Sequence, residues 1–456
     1  MEAVPVPSLP LAVSLPVCGV ALALVLVQVW RFWDMHVAFL LLAVWLRYSI
    51  AVFHDYTYPP VLLGLSPVAL TSILVVAVGL LVIGGRRLLL PQLVPIYLIM
   101  LVVLISAIAN QTWLGAVNEI VKWLYLILLA LAAYKAMSRY GSDRVLGAFA
   151  IVFIEPLALQ WVSLLMGIAS INEDGTPSFI GGYHHEQAFS IIVLTFLFVT
   201  CFTRKLGMTP TYVRLAIAAA GLVLANYRTT LLAAALPAAA LAVDRLVGKF
   251  VRRQRSVAFV LLAVATVVLF VAVANVAQDR FADVGATLYK GTSLIQPPVY
   301  FTNDEKRLFS GRVYLWSQYL DAYLDGDIIN RLIGFGPDSW VGEFPLYAHN
   351  TFVSFVYELG VFGVVAFACL LAANFLIAVR TPGDGRFVLI ACHIGFFILN
   401  LATMPIWTLE GDILYALLLA YTWHRRSLQV AERRHLDASA GFPRRLALST
   451  ETGPWK

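Results

Sequence analysis

Apolar runs of about 20 residues recur along almost the whole chain, joined by short polar tethers. That is the length an α-helix needs to cross about 30 Å of hydrocarbon. Such runs are readable near residues 11–30, 35–53, 61–83, 93–109, 117–137, 145–169, 186–202, 213–226, 229–246, 257–275, 351–379, 387–406 and 411–423. The pattern predicts an all-α protein, a polytopic transmembrane helical bundle of about 12–13 spans, because only closed hydrogen bonding within a helix or barrel suits lipid. One long extracytoplasmic loop carrying short amphipathic helices interrupts it. The predicted divisions are N-terminal membrane helices over 1–275, the loop over 276–350, C-terminal membrane helices over 351–424, and a tail over 425–456 expected to be disordered. Runs 213–226 and 229–246 meet at Asn226-Tyr227-Arg228-Thr229 and read either as two spans or as a re-entrant hairpin.

The cations set the orientation. Arg86 and Arg87; Lys135, Arg139 and Arg144; Arg204, Lys205 and Arg214; Arg245, Lys249, Arg252, Arg253 and Arg255; and Arg380 and Arg386 fill every second tether. Cytoplasmic loops are the Lys/Arg-rich ones. These tethers and the tail from Arg425 are therefore expected on the cytoplasmic side. His54, Asn110, Asn172, Arg228 and the stretch from Asn275 to Ala348 fall on the opposite side, as does the N-terminus if all thirteen runs cross. No Lys or Arg precedes the first run, so a cleavable signal peptide is not expected.

Composition agrees. Of 456 residues, 61% are apolar and 13% charged, and mean hydropathy is +0.83, whereas soluble domains carry about 25% charge. The formal charge of +6 is spread over tethers, which argues against nucleic-acid binding. Cys18, Cys201, Cys369 and Cys392 lie in apolar runs without paired spacing, so neither a disulfide framework nor a thiolate metal site is expected. The absence of a visible internal repeat counts against a transporter built from related halves.

Polar chemistry concentrates in the long loop. Residues 311–324 place Val313, Trp316, Leu320 and Leu324 at helical spacing, predicting an amphipathic helix whose Trp316, Tyr319 and Tyr323 suit a membrane interface. Gly334-Phe335-Gly336-Pro337-Asp338 reads as a turn that a glycan or phosphate can approach. His349 and Asn350 stand at the start of the run from 351, where free N–H groups favour an anion and Asn350 is a good N-cap. Trp316, Asp338 and Asn350 are candidate substrate-binding residues. So are Tyr183, His184, His185 and Glu186, at the head of the run from 186; adjacent histidines do not share one helix face, so zinc is disfavoured against glycan or diphosphate contact. Among intramembrane charges, Glu119 and Lys122 are spaced for a local ion pair. Arg47 and Glu155 read as partners across helices or as the lining of a substrate path. Glu358 lies about 180° round the helix from His349, which favours a structural bond to a neighbouring helix.

Gly311-Arg312 followed by Trp316, then Leu332-Ile333-Gly334-Phe335-Gly336, Ala348-His349-Asn350-Thr351-Phe352, Glu358-Leu359-Gly360 and Gly363 resemble the signature region of the O-antigen ligase and O-antigen polymerase superfamily. Arg228 resembles a second element of that family, with Tyr227 where a serine usually precedes it. The resemblance implies a metal-independent, inverting glycosyltransferase without cofactor, in the bacterial inner membrane with its active site facing the periplasm. It implies an undecaprenyl-diphosphate-linked glycan as substrate in surrounding membrane lipid, with a chain-length regulator and a flippase as further candidate partners. Arg228, Arg312 and His349 match the family's functional residues. Arginine forks suit a diphosphate leaving group, and His349 suits either a base or a diphosphate contact. Polymerase is favoured over ligase because every such pathway needs one; a lipid-linked oligosaccharide flippase is the alternative of another class.

Overall fold

The computed structural model describes residues 7–62, 64–171, 175–247, 254, 257, 294 and 296–439. The predicted span near 257–275 beyond its first residue, the cations Lys249, Arg252, Arg253 and Arg255, Asn172, the loop's first charges (Asp279, Arg280, Asp283, Lys290) and residues 440–456 lie outside these.

The described chain is helical, apart from a two-residue antiparallel pairing of β1 (Ser170–Ile171) with β2 (Pro177–Ser178). In chain order the helices are α1 (Leu11–Phe32), α2 (Met35–Val52), α3 (His54–Thr57), α4 (Pro67–Ile83), α5 (Val94–Asn110), α6 (Trp113–Tyr140), α7 (Ser142–Phe149), α8 (Ile154–Leu165), α9 (Glu186–Phe202), α10 (Met208–Ala225) and α11 (Arg228–Val247). After the undescribed stretch come α12 (Arg312–Asp325), α13 (Ile328–Ile333), α14 (Thr351–Arg380), α15 (Arg386–Ala402) and α16 (Leu409–Ser439). Among the described residues eight helical segments are long and apolar enough to cross a membrane; α4, α9 and α15 are shorter apolar helices. This is an all-α polytopic bundle. α10 and α11 both belong to the eight, so the pair does not need the re-entrant reading.

Capping side chains fix several entries. Asp34 accepts from the N–H of His36 and Val37 at the start of α2, and Ser66 opens α4. Asn350 accepts from Phe352 and Val353 at the start of α14, each satisfying donors that the first helical turn leaves open. The interior is carried by α6 and α16, with α9 against them. Two stacked ring pairs, Phe202 on Tyr421 and Phe396 on Tyr415, lock α16 to α9 and α15.

The cation-bearing tethers meet one another at one end of the bundle. Arg139 pairs with Asp34 at 2.7 Å, Arg204 with Asp244 at 3.0 Å, and Arg425 donates to the Asp384 carbonyl. The loop bearing α12 and α13 closes the other end. There α14 breaks helical geometry at Gly360, where φ is 61°. The freed backbone receives the predicted turn: Phe335 N–H donates to the Tyr357 carbonyl, Gly336 N–H to that of Glu358, and Asp338 N–H to Glu358 Oε2. A methyl group on Gly334 would collide with the Glu358 backbone, and one on Gly360 with that of Leu332. Glu358, also bonded by Ser354, is thus a structural clamp, though its carboxylate meets the turn and its own helix and not the neighbouring helix expected.

Three expectations need correction. Helix α12 exists, but its buried face is Leu315 and Tyr319, while Leu320 and Leu324 are exposed. The Tyr319 ring stacks on Phe344 and its hydroxyl reaches the Leu346 carbonyl, which turns the helix. Arg47 and Glu155 are not partners: Arg47 pairs with Glu410 at 2.9 Å, and Glu155 is held by Ser49 and Cys18. The tail is not irregular from Arg425, because α16 continues to Ser439 with Arg426 bonded to Gln429 one turn on. Gly441 and Pro443 are the first residues past Arg425 that disfavour helix.

Candidate functional site

Three chain segments converge at the loop-covered end. The first is the head of α9, where His185 caps the helix by accepting from Gln187 N–H. The second is the hairpin between α10 and α11, turned by Asn226 at φ 53° and bringing Tyr227, Arg228 and Thr229 to the start of α11. The third is the loop that leads from α12 to Asn350.

Arg312 joins the second and third. Its Nη1 donates to the Ala402 carbonyl at 2.9 Å and reaches Thr229 Oγ1 at 3.5 Å. Asn350 Nδ2 donates to the neighbouring Leu401 carbonyl at 2.8 Å. The two side chains thereby satisfy the open carbonyls at the C-terminus of α15, where a helix end also favours positive charge. These partners of Arg312 are uncharged, so its charge is not cancelled by them. Arg228 sits one residue from Thr229 at the head of α11, half buried.

His349 faces Arg312 across this space. Its backbone is left-handed at φ 50°, its ring lies 4.0 Å from that of Tyr347, and Nδ1 is buried without a hydrogen-bond partner. Trp316 Nε1 donates to the Ala348 carbonyl at 2.7 Å and fixes the loop just before it. Burial, with the Arg312 guanidinium and the His185 ring adding to it, pushes His349 down to about 3. The imidazole is neutral at physiological pH, which disfavours an imidazolium contact to diphosphate as long as Arg312 is uncompensated.

One amide ties the three segments together. Gln187 Oε1 accepts from the Tyr347 hydroxyl at 3.2 Å and from the Tyr227 hydroxyl at 3.4 Å. Burial raises Tyr227 to about 12 against the pull of Arg312, keeping it a neutral donor. Gln187 and Tyr347 stood at the edges of motifs read from the sequence and Tyr227 as a departure from the family pattern, but none was given a role in the site. The available signal was a polar residue in the first turn of an otherwise apolar helix.

The remaining candidates divide. His185 and Glu186 adjoin the cluster, with His185 Nδ1 3.6 Å from Glu186 Oε2. His184 diverges from His185 and packs against His54 and Tyr58, both at 5.3 Å. Tyr183 is 1% exposed and packs on Phe189, a core position that does not reach the cluster. Asp338, at φ 58°, is bonded by Asn118 and lines a neighbouring cavity of about 900 Å³. His185, Gln187 and Tyr347 line that cavity too, so it shares a wall with His349. The expected Lys122–Glu119 pair is present at 3.0 Å in its wall.

The fold and site therefore define a multi-pass membrane protein with a cationic, histidine-bearing cluster at one end of its bundle. Residues 213–368, which hold Arg228, Arg312, His349 and Glu358, match the family model described as O-antigen ligase. That match, over part of the chain, bears out the resemblance to the O-antigen ligase and polymerase superfamily read over residues 311–363. No curated protein matches the chain.

Proposed function

We propose that the protein is a metal-independent, inverting glycosyltransferase that moves a glycan from undecaprenyl diphosphate to a sugar hydroxyl at the periplasmic face of the bacterial inner membrane. The observation that carries this reading is Arg312, held between α15 and α11 beside a neutral His349, within the family-matched stretch. The acceptor oxygen bonds to the anomeric carbon as the bond from that carbon to the diphosphate oxygen breaks. The electron pair leaves on the diphosphate, where Arg312 and Arg228 offset its charge in a low-dielectric site. The hydroxyl proton passes to the neutral imidazole of His349 as the new bond forms, and from there to water. His349 accepts the hydrogen bond that orients the hydroxyl, and a diphosphate bound at Arg312 makes the imidazole more basic when this is needed.

Polymerase is favoured because each pathway that assembles such glycans needs one. The printed description of the matching family supports ligase as the second reading. The test is reconstituted protein given the host's undecaprenyl-diphosphate-linked repeat unit, beside Arg312→Ala, scored for product size and released undecaprenyl diphosphate. A ladder of lengths lost in the variant establishes a polymerase, and a single glycan on an added acceptor a ligase. No diphosphate release with verified substrate overturns both, in favour of a transporter.

A further inference from the structure

The cavity of about 900 Å³ beside His349 has a use that the diphosphate cluster leaves open. It lies at the head of α4, α6, α9 and α16 and is roofed by Asp338 and Trp340. Its mouth carries exposed Leu114 and Val117, and its mostly apolar lining includes the charged Arg47, Lys122, Asp338 and Glu410. Arg47 pairs with Glu410 there, and Lys122 with Glu119. Hydrocarbon laid against those charges is costly, which argues against a lipid chain on that part of the wall. Arg47 and Lys122 are already paired, and the Asp338 carboxylate on the same lining opposes an anion, which argues against a phosphate occupant.

Polar atoms of the wall are incompletely matched. Arg47 Nη1, Trp407 Nε1 and Glu410 Oε2 are buried without hydrogen-bond partners, and Glu410 is 1% exposed. Two of these atoms carry donors and the third is an acceptor. A phosphate only accepts, whereas a hydroxyl both donates and accepts. The wall also offers ring faces: Trp407, whose ring is 5.1 Å from the Lys122 ammonium, and Trp340 and Tyr347. Flat apolar faces beside hydroxyl-matching polar atoms are what a pyranose presents its two sides to.

We propose that this cavity is the acceptor subsite and takes an uncharged sugar ring, whose hydroxyl reaches His349 past Tyr347 and His185. The assignment rests on the transferase reading above. It divides the machinery into a cationic donor side around Arg312 and an uncharged-sugar side around Trp407.

The test uses full-length protein in proteoliposomes with the lipid-linked repeat unit as donor and a methyl glycoside of the same repeat as soluble acceptor. Trp407→Phe keeps the ring and removes a donor that has no partner in the folded protein, so the fold should be retained; Val117→Trp plugs the mouth from an exposed position. Both are expected to raise the acceptor KM about tenfold, with the donor KM and the acceptor-free hydrolysis of donor within about twofold. A raised donor KM with an unchanged acceptor KM overturns the proposal and assigns the cavity to the donor's lipid. No change in either KM also overturns it. If wild-type protein transfers nothing and releases no diphosphate, the transferase reading fails by itself. Saturation-transfer NMR of the methyl glycoside then decides the cavity: a signal lost in Val117→Trp supports a sugar site, and no signal with wild type overturns it.

Discussion

Arg312 and His349 oppose one another electrostatically, and each is placed by a backbone contact: Arg312 by the Ala402 carbonyl, His349 by the Trp316 bond to Ala348. Removing the guanidinium has two separable effects. Arg312→Ala is expected to lower transfer by about 10²–10³-fold, the size of losing one preorganised charge-stabilising donor. It should also raise the His349 pKa, since Arg312 is second only to burial in holding it down, and imidazole NMR titration reads this directly. With His349 near 3, the unfolded chain binds a proton that the folded one refuses between about pH 3 and the ordinary histidine value of about 6.5. Stability linked to this residue therefore rises with pH across that window and is level above it. The pH profile of kcat/KM for the wild type should show no His349 limb at the ordinary histidine value, and a limb there that disappears in His349→Gln would sink the neutral assignment. Gln187→Leu removes the acceptor shared by the Tyr227 and Tyr347 hydroxyls, and an expected loss of about 10–100-fold in turnover follows from misplacing both arms of the site. A wild-type rate in that variant would remove Gln187 from the positioning role. These residues show where sequence reading stops: His349, Arg312 and Asn350 stood in a motif, but the partners of Gln187 are separated from it by 40 and 160 residues.

Helices were legible wherever a cap or a sustained period marked them. Asn350 opens α14 as predicted, and the glycine-rich turn at 334–338 is where the chain reverses. What the period of α12 could not tell was which side is buried, because Tyr319 finds Phe344 and Leu346 in a segment with no periodicity of its own. The pairing of the 334–338 turn with the kink in α14 is equally invisible along the chain, although both halves carry their glycines for it. Gly360→Ala should therefore be severely destabilising, combining about 1–3 kcal/mol of backbone strain with a collision against Leu332. Gly147→Ala in α7, where an added methyl group meets nothing within 4 Å, is the control expected to be neutral or slightly stabilising. Thermal aggregation of the two variants in detergent compares them, and equal midpoints would contradict the interlocked turn.

Across the whole molecule, the meeting of the cation-bearing tethers at one end of the bundle was legible from their alternation, because charge is written locally in each tether. Ion pairing inside the bundle was not, since Arg47 meets Glu410 from 363 residues away. That pair gives a bundle-scale prediction: Arg47→Met alone should destabilise by about 3–5 kcal/mol by stranding a buried carboxylate, whereas Arg47→Met with Glu410→Met should recover most of the loss. Unfolding in mixed micelles measures both, and a double variant as unstable as the single one would show that the pair does more than neutralise itself. Glu410 belongs to the first turn of α16, an unbroken helix of 31 residues, about 46 Å long at 1.5 Å per residue. It runs from the sugar-sized cavity past the Arg425 contact to Ser439 at the cation-rich end. A helix resists shortening far more than a loop does, so this one holds the cavity floor and the cation-rich end at a fixed separation, as a strut between the two faces of the bundle.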